Sequence, residues 1–144
     1  MSELQIDINN HIMLVTLNRP DIHNAISHQN MINEIVEACD IANQDHTVRV
    51  MILTGAGSSF CAGGNIKDMH NKTDMFSGDI AAIEQAYKQG IQKIPLAFAQ
   101  LQVPVIAAVN GAAVGAGLDL AMMCDIRIGS ENARFAESFV KLGI

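Results

Sequence analysis

Hydrophobic positions along this chain follow two periods, one typical of strands and one typical of helices. Six short segments are alternating or nearly continuous in apolar residues, which is the pattern of strands with one or both faces buried. Two of them flank Asn9 and Asn10, a pair that favours a tight turn, so they are predicted to form a β-hairpin. The predicted strands cover residues 4–8, 12–17, 48–54, 103–109, 126–128 and 133–136.

The helical period occupies the segments between these strands. Ser27 is predicted to cap a first helix over residues 28–44, whose apolar side chains recur at intervals of three and four. A second long helix is predicted over residues 80–94, and Pro95 is expected to kink or restart it because proline has no backbone N–H to donate. Residues 70–78 are polar and are expected to form a mobile loop. The apolar face of the first helix consists of Met31, Ile32, Ile35, Val36 and Cys39.

The most informative stretch covers residues 104–125, where a buried-strand pattern ends in a glycine-rich turn and a helix begins. Gly115 and Gly117 allow close backbone approach or a positive φ in that turn. The first N–H groups of the helix face the turn, and Asp119 stands in the first helical turn. The same order of strand, glycine turn and helix occurs over residues 48–69. Two such units can direct N–H groups at one point, as the stabilisation of a developing oxyanion requires.

Three other interpretations of the later glycine turn stay open. A dinucleotide-binding fingerprint also places glycines between a strand and a helix, but its order is GxGxxG and this turn has GxxxGxG. A membrane span over residues 103–123 is disfavoured by Asn110 and Asp119 within it and by the lack of basic residues at its start. The glycines could also serve packing alone.

Composition favours one domain and argues against several classes of partner. The chain has 144 residues, of which 49% are hydrophobic and 17% charged, as expected for a globular domain with a substantial core. A net charge of -6 and the scarcity of aromatic residues disfavour nucleic-acid binding. Residues 28–44 contain no Lys or Arg, which disfavours RNA binding by the first helix. The histidines show no metal-ligand spacing, so no metal is predicted.

The cysteines and the two ends of the chain indicate the cellular compartment of the protein and whether the chain is part of a longer one. The 3 cysteines are far apart and form no CxxC pair, which predicts a reduced, cytoplasmic compartment. Cys61 is expected to be a small buried residue and not a nucleophile, because no His accompanies it in its motif. The polar, acidic N-terminus lacks the pattern of a signal peptide. Residues 140–144 end inside an apolar pattern, which predicts that this is the N-terminal portion of a longer protein.

Four ordered motifs resemble those of the enoyl-CoA hydratase/isomerase family, the crotonase superfamily, and together cover essentially the whole chain. The resemblance implies an α/β fold of the ClpP/crotonase type, a spiral of ββα units. Residues 1–144 would form its N-terminal core, with the C-terminal helical part missing. Such helices build trimers and hexamers, so a homotrimer or a dimer of trimers is implied for the whole protein. The motifs are LNRPDIHNAIS (17–27), LTGAGSSFCAGGNIKDM (53–69), PVIAAVNGAAVGAGLDLAMMCDIRI (104–128) and ARFAESFVKLGI (133–144).

The same resemblance implies the residues of the site. The backbone N–H groups of Gly64 and Ala116 would hold the thioester oxygen of an acyl-CoA while proton transfer beside the carbonyl builds enolate charge on it. Coenzyme A would enter only as part of that substrate, and no other cofactor is implied. Lys67 and Lys141 are candidates to meet its phosphates. The substrate channel is expected to include His23, Ala25, Ala62, Gly63, Gly64, Asn65, Ile66, Lys67, Val114, Gly115, Ala116 and Phe139.

The chain departs from the family pattern at the residues that would transfer protons. Hydratases of the family use two glutamates, and the first of these positions falls on Asp119, a shorter carboxylate that can still act as a base. The second falls on Phe139, which can transfer no proton. Glu137 is the candidate substitute, because in an extended segment it would share a face with Phe139.

These residues predict an enzyme, a lyase or isomerase, that hydrates or isomerises the double bond of an enoyl-CoA through a thioester enolate. Asp119, Gly64, Ala116 and Glu137 are its predicted catalytic residues. Two alternatives stay open. One is another acyl-CoA reaction of the family, namely hydrolysis, dehalogenation or decarboxylation. The other is a catalytically inactive chain that serves only binding or assembly.

Overall fold

Long strands of one sheet alternate along this chain with short strands of a second sheet. A computed structural model describes residues 2–143. Strands β1 to β8 cover Leu4–Asn9, Ile12–Leu17, Val50–Gly55, Ser59–Cys61, Val105–Val109, Ala112–Val114, Ile126–Gly129 and Arg134–Ala136. Helices α1 to α6 cover Gln29–Gln44, Ile66–Asn71, Ile80–Gln89, Lys93–Ala99, Ala116–Met123 and Phe139–Leu142.

The sheet topology repeats one unit of two strands and a helix. The first sheet has the order β1-β2-β3-β5-β7, in which β1 and β2 form the predicted antiparallel hairpin and all other neighbours are parallel. The second sheet, β4-β6-β8, is parallel throughout. The chain therefore steps from the first sheet to the second and into a helix as β3-β4-α2, β5-β6-α5 and β7-β8-α6. This confirms the expected spiral of ββα units.

All of the predicted strands are present, and two short ones were missed. β4 and β6 have 3 residues each, too few to show a period in the sequence. They pair with each other in parallel, with Ser59 opposite Ala112. Such short segments become strands through the partner they find in space, because strand preference depends strongly on tertiary context.

The first helix forms as predicted, but it is not capped by Ser27. α1 begins at Gln29, and no side chain caps the helix at His28. Ser27 is buried and its Oγ accepts a hydrogen bond from the Asn65 N–H at 3.0 Å. The capping prediction is wrong because a partner distant in sequence takes the hydroxyl. The buried face of α1 consists of Met31, Ile32, Ile35, Ala38, Cys39 and Ala42, with Val36 half-buried beside them.

The second long helix is divided at Gly90 and not at Pro95. α3 ends at Gln89, and α4 begins at Lys93. Gly90 has φ -110° and ψ -114°, and a Cβ built on it would lie 2.6 Å from the Ala86 carbonyl oxygen. Pro95 lies in the first turn of α4, where a missing N–H breaks no helical hydrogen bond. The predicted position of the break is therefore wrong.

Residues 70–78 contain two buried apolar side chains, although the sequence predicted a polar, mobile loop. Asp74–Phe76 forms a 3-10 helix in which Met75 and Phe76 are buried. The Phe76 ring meets Tyr87 of α3 edge to face, with 6.1 Å between ring centroids. This contact places the segment against α3.

Across residues 2–143, no helix is both long and apolar enough to cross a membrane. The segment 103–123, which had been considered as a span, divides into β5, β6 and α5. Asn110, one of the residues that disfavoured the span, accepts a hydrogen bond from the Gly55 N–H and donates one to the Gly57 carbonyl, both at 3.1 Å. The interpretation of this segment as a membrane span is therefore excluded.

Candidate active site

The earlier turn, residues 62–65, joins β4 to α2 and presents one backbone N–H to a cavity. The Gly63 carbonyl accepts a hydrogen bond from the Ile26 N–H at 2.8 Å. Because the N–H and C=O of a trans peptide point in opposite directions, this bond turns the Gly64 N–H away from Ile26. The next N–H, that of Asn65, donates to Ser27 Oγ. Within residues 2–143 the Gly64 N–H has no acceptor, and Gly64 lines a cavity of about 190 Å³.

The later turn, residues 114–117, joins β6 to α5 and presents a second N–H to the same cavity. Gly115 has φ +52° and ψ -126°, a conformation that residues with side chains rarely adopt. Its N–H donates to the Ala136 carbonyl at 2.9 Å, and its own carbonyl accepts from Leu118 at 2.8 Å and Asp119 at 3.0 Å. Ala116 is the first residue of α5, and its N–H has no acceptor in the described part of the chain. Ala116 also lines the cavity.

The two turns pack backbone against backbone. A Cβ built on Gly63, which has φ +79°, would lie 2.7 Å from the Val114 carbonyl oxygen and 2.9 Å from the Ala116 nitrogen. A Cβ built on Gly117 would lie 2.0 Å from a carbonyl oxygen of β4. Any side chain at either position would push the turns apart. This close approach places Gly64 and Ala116 in the lining of one cavity.

The carboxylate of Asp119 lies on that cavity, three residues after Ala116 in α5 and thus on the same side of the helix. Burial raises the pKa of Asp119 above its ordinary value, and the negative charge of Glu137 raises it further. Among the described residues that line the cavity, Asp119 is the only carboxylate. Much of the remaining lining is apolar and comes from Ile26, Met69, Met75, Phe76, Ile91, Ile94, Leu120 and Met123.

Glu137 and Phe139 do not lie in one extended segment, as had been predicted. β8 ends at Ala136 and Phe139 begins α6, so the alternation of a strand does not apply to them. Phe139 lines the cavity, and its ring lies 3.8 Å from a Cβ built on Gly115. Glu137 is exposed between β8 and α6, yet its charge acts on the pKa of Asp119. Glu137 therefore acts on Asp119 from the connection between β8 and α6, and not from the strand face that was expected.

Three of the residues predicted to bind substrate line the cavity, and the others lie outside its lining. His23 is exposed, with Nδ1 3.2 Å from Ser59 Oγ, and its carbonyl accepts a hydrogen bond from Ala62 at 3.0 Å. Lys67 and Lys141, the candidate phosphate contacts, are both exposed. The three in the lining are Gly64, Ala116 and Phe139, and those outside are His23, Ala25, Ala62, Gly63, Asn65, Ile66, Lys67, Val114 and Gly115.

Cys61 is buried, as predicted for a residue that is not a nucleophile. It lies in β4, and burial raises the pKa of its thiol to about 12. A thiol with that pKa is almost entirely protonated at neutral pH, and the thiolate is the reactive form.

Sequence reasoning missed the part of the cavity that Ser27 and residues 69–76 form. Ser27 lies in the lining, although the sequence indicated only a helix cap. Met69, Met75 and Phe76 come from a short segment that shows no clear period, so no pattern marks them as facing a site.

Three side chains capable of binding a metal also meet outside the cavity lining. Ligand atoms of His28, Asp68 and Asp74 lie within 4.8 Å of one another. His28 Nε2 lies 3.2 Å from one Asp68 carboxylate oxygen, and the Thr73 hydroxyl donates to the other, also at 3.2 Å. The first of these bonds accounts for the proximity of His28 and Asp68 without an ion, and the absence of a metal stays a prediction. Spacing along the chain could not reveal this cluster, because tertiary structure assembles it.

Comparisons with known proteins agree with this fold. The sequence profile of the enoyl-CoA hydratase/isomerase family matches residues 7–144. A 2,3-dehydroadipyl-CoA hydratase of Escherichia coli K12 is 36% identical over 147 residues, which cover 100% of this chain and 52% of that protein. A 1,2-epoxyphenylacetyl-CoA isomerase of the same strain is 37% identical over 134 residues, which cover 92% of this chain and 49% of that protein.

Solved structures show the same likeness. The crystal structure of an enoyl-CoA hydratase/carnithine racemase from Magnetospirillum magneticum superimposes with a TM-score of 0.88 at 30% identity, covering 100% of this chain and 52% of that one. The chain spans about half the length of the curated relatives it matches. The profile match includes both glycine turns and Asp119. This chain therefore belongs to the enoyl-CoA hydratase/isomerase family, and its spiral has the crotonase fold.

Proposed function

We propose that the whole protein transfers protons on an enoyl-CoA thioester and so isomerises or hydrates its carbon–carbon double bond. One observation carries this proposal: Gly64 and Ala116, whose N–H groups have no acceptor within residues 2–143, and the carboxylate of Asp119 line a single, largely apolar cavity. Membership of the enoyl-CoA hydratase/isomerase family supports the thioester as the substrate class. Coenzyme A enters as part of the substrate, and the proposed chemistry uses no further cofactor.

The two N–H groups, from Gly64 and Ala116, would stabilise the enolate. Removing or adding a proton beside a thioester carbonyl places negative charge on the carbonyl oxygen. Donors that already point at this oxygen stabilise the charge without reorganising, and the loss of one such donor costs about 3 to 4 kcal/mol in comparable sites. The apolar surroundings strengthen the effect, because water does not screen the charge there.

Asp119 is the proposed proton carrier. Its position one helical turn from Ala116 puts the carboxylate and one N–H donor on the same wall of the cavity. Burial and the charge of Glu137 raise its pKa, which makes the ionised carboxylate a stronger base than an exposed aspartate. A base near the thioester and donors at its oxygen are the two requirements for forming an enolate.

Isomerisation fits these residues more directly than hydration. To move a double bond, a base removes a proton from one carbon and returns it to another, and a single carboxylate can do both. Hydration requires in addition that water be activated, and Phe139 occupies the place where a second acid was expected. Glu137 is the proposed second group if the enzyme hydrates, since its charge already acts on Asp119. The homotrimeric or hexameric assembly and the cytoplasmic location stay predictions for the whole protein.

The test is to replace Asp119 by Asn in the whole protein and to assay it with 2-enoyl-CoA and 3-enoyl-CoA substrates. We expect kcat to fall by about 100-fold or more, because a positioned general base contributes about that much. Mass analysis of the product separates the reactions, since hydration adds one water and isomerisation leaves the mass unchanged. Asp40→Asn, at an exposed site on α1, is the matched control. Unchanged turnover of every active substrate by Asp119→Asn would exclude the assigned role.

A further inference from the structure

Ser27 is a buried polar residue whose place in the chemistry is unassigned. It is only 2% exposed, and its hydroxyl oxygen accepts the Asn65 N–H at 3.0 Å. It also lines the cavity beside Gly64. No helix-capping bond explains its burial, because α1 begins at Gln29 without a side-chain cap.

We propose that Ser27 is a positioning residue for the Gly64 N–H donor; this inference rests on the proposed function of that donor. Ser27 acts through the earlier turn and not through contact with the reacting atoms. Its hydroxyl holds the peptide that follows Gly64, whereas the Ile26 N–H holds the peptide that precedes it. The dipeptide Ile26-Ser27 therefore hydrogen-bonds the turn on both sides of the Gly64 N–H.

The geometry of the peptide units gives the reason. The orientation of the Gly64 N–H is set by the plane of the 63–64 peptide, whose carbonyl is bonded to Ile26 at 2.8 Å. That plane can still rotate if the next peptide is not hydrogen-bonded, because the consecutive glycines Gly63 and Gly64 restrict the backbone dihedrals little. The bond from Asn65 to Ser27 fixes the 64–65 peptide and so removes this freedom.

Asn65 cannot replace this anchor by itself. Its side chain is already used, because its Oδ1 accepts the Lys67 N–H at 3.1 Å and caps α2. Without the Ser27 hydroxyl, the Asn65 N–H would lose its acceptor in a half-buried place, and leaving such a donor unpaired is unfavourable. The turn would relax to find another partner and would carry the Gly64 donor with it.

The test compares variants at Ser27 in the whole protein by steady-state kinetics and by the infrared carbonyl stretch of bound butyryl-CoA labelled with ¹³C at the carbonyl. This saturated thioester has no double bond to react, and hydrogen bonds at its oxygen lower the stretching frequency. We expect Ser27→Ala to lower kcat about tenfold, equivalent to about 1.4 kcal/mol, with KM changed less than about twofold. The frequency shift on binding should shrink in Ser27→Ala, and Ser27→Thr, which keeps the hydroxyl, should restore both kcat and the shift.

The matched control is Thr54→Val. Thr54 Oγ1 donates to the Ala108 carbonyl at 2.8 Å inside the first sheet and has Asn110 Oδ1 as a more distant second acceptor at 3.3 Å. This variant therefore also deletes a bond between a hydroxyl and the backbone, but away from the cavity lining. It should leave kcat and the carbonyl frequency unchanged. If Ser27→Ala does not fold, Ser27→Cys supplies the test, since it keeps the volume and offers a weaker acceptor; it should show a smaller fall in kcat and a smaller loss of the shift.

The outcomes separate this inference from the function on which it rests. A frequency shift of wild-type size in folded Ser27→Ala or Ser27→Cys, with kcat also unchanged, overturns the positioning role and leaves the proposed function intact. A fall in kcat without any loss of the shift overturns it as well, because the donor would then be undisturbed. If butyryl-CoA shows no shift in the wild-type protein, the oxyanion role of Gly64 fails and this inference fails with it.

Discussion

The two turns that carry the proposed backbone donors are held in place by different means. In the later turn, the peptide that carries the Ala116 N–H is held by its own helix, since the Gly115 carbonyl accepts from the N–H groups of Leu118 and Asp119, and the preceding peptide is held by the Ala136 carbonyl, which accepts the Gly115 N–H. The earlier turn contains two consecutive glycines, and its anchors come from Ile26 and Ser27, the latter 38 positions from its bonding partner. The peptide of the proposed donor at Ala116 is therefore held by local helix geometry, and the peptide of the proposed donor at Gly64 is held by a contact that only the folded chain can make.

The difference between the two turns should have its largest effect on stability when Gly63 or Gly115 is replaced. Gly63→Ala should destabilise the protein more than Gly115→Ala, although both residues have a positive φ. The strained backbone costs about 1 to 3 kcal/mol at each site. At Gly63 the new Cβ would in addition meet backbone atoms at 2.7 and 2.9 Å, whereas at Gly115 it would meet only the Phe139 ring at 3.8 Å. Guanidinium unfolding of both variants measures the difference, and equal losses would contradict it.

The next largest effect should come from Ala116→Pro, which deletes one donor while sparing the fold. Ala116 is the first residue of α5, a position that proline tolerates because its N–H makes no helical bond. We expect kcat to fall by about 100- to 1000-fold while the free energy of unfolding changes by about 1 kcal/mol or less. Ala116→Gly keeps the N–H and is the control. Wild-type kcat in Ala116→Pro would show that the later turn supplies no donor.

A smaller effect concerns Asp119 and the pH dependence of stability. Its pKa is raised in the folded protein, so ionisation is less favourable there than in the unfolded chain, and the folded state loses stability as pH rises through the raised pKa. Asp119→Asn removes this loss and should unfold at a higher denaturant concentration than the wild type at pH 7. The advantage should vanish at pH values below the ordinary pKa of 3.8, where both side chains are neutral. An advantage that persists unchanged in acid would mean that ionisation is not its cause.

The smallest effect should follow from Gly64→Ala. The new Cβ would lie 2.5 Å from the terminal methyl group of Met69, which is flexible and can move aside, and the N–H is retained. We expect kcat within about threefold of wild type and a stability change of about 1 kcal/mol or less. Steady-state kinetics checks this directly. A large fall in kcat would indicate that the cavity needs the Met69 side chain where it is.

The sequence is more informative about the later turn than about the earlier one, because the contacts of the later turn are more local in the chain. At the later turn, the strand before it, the glycines within it and the helix after it are adjacent in the chain, so the pattern itself indicated Asp119 beside the free N–H groups of a helix, and the resemblance pointed to Ala116. At the earlier turn, the resemblance pointed to Gly64, but nothing indicated that Ser27 lines the cavity. A serine just before a helix can cap it or bond elsewhere, and the choice depends on what lies nearby in space.

Two further errors have similar causes. Pro95 was expected to break a helix that in fact divides at Gly90, because proline is compatible with the first turn that the break creates. Glu137 and Phe139 were placed on one strand face, but the strand ends at Ala136 and a helix begins at Phe139. In each case the local pattern was ambiguous by only a few residues, and neighbouring elements decided between the possibilities.

By itself the sequence determined six of the strands, the first helix, both glycine turns and the carboxylate after the later one. These features are encoded by periodicity and by residues, glycine above all, that few others can replace. The spiral was expected only from the resemblance to a known family. Only the tertiary structure decided that β4 and β6 pair, that Gly64, Ala116 and Asp119 line one cavity, and that the Ser27 hydroxyl accepts the Asn65 N–H of the earlier turn. Each of these depends on atoms far apart in the chain, and hydrogen bonds and close packing select their arrangement only once the chain has folded.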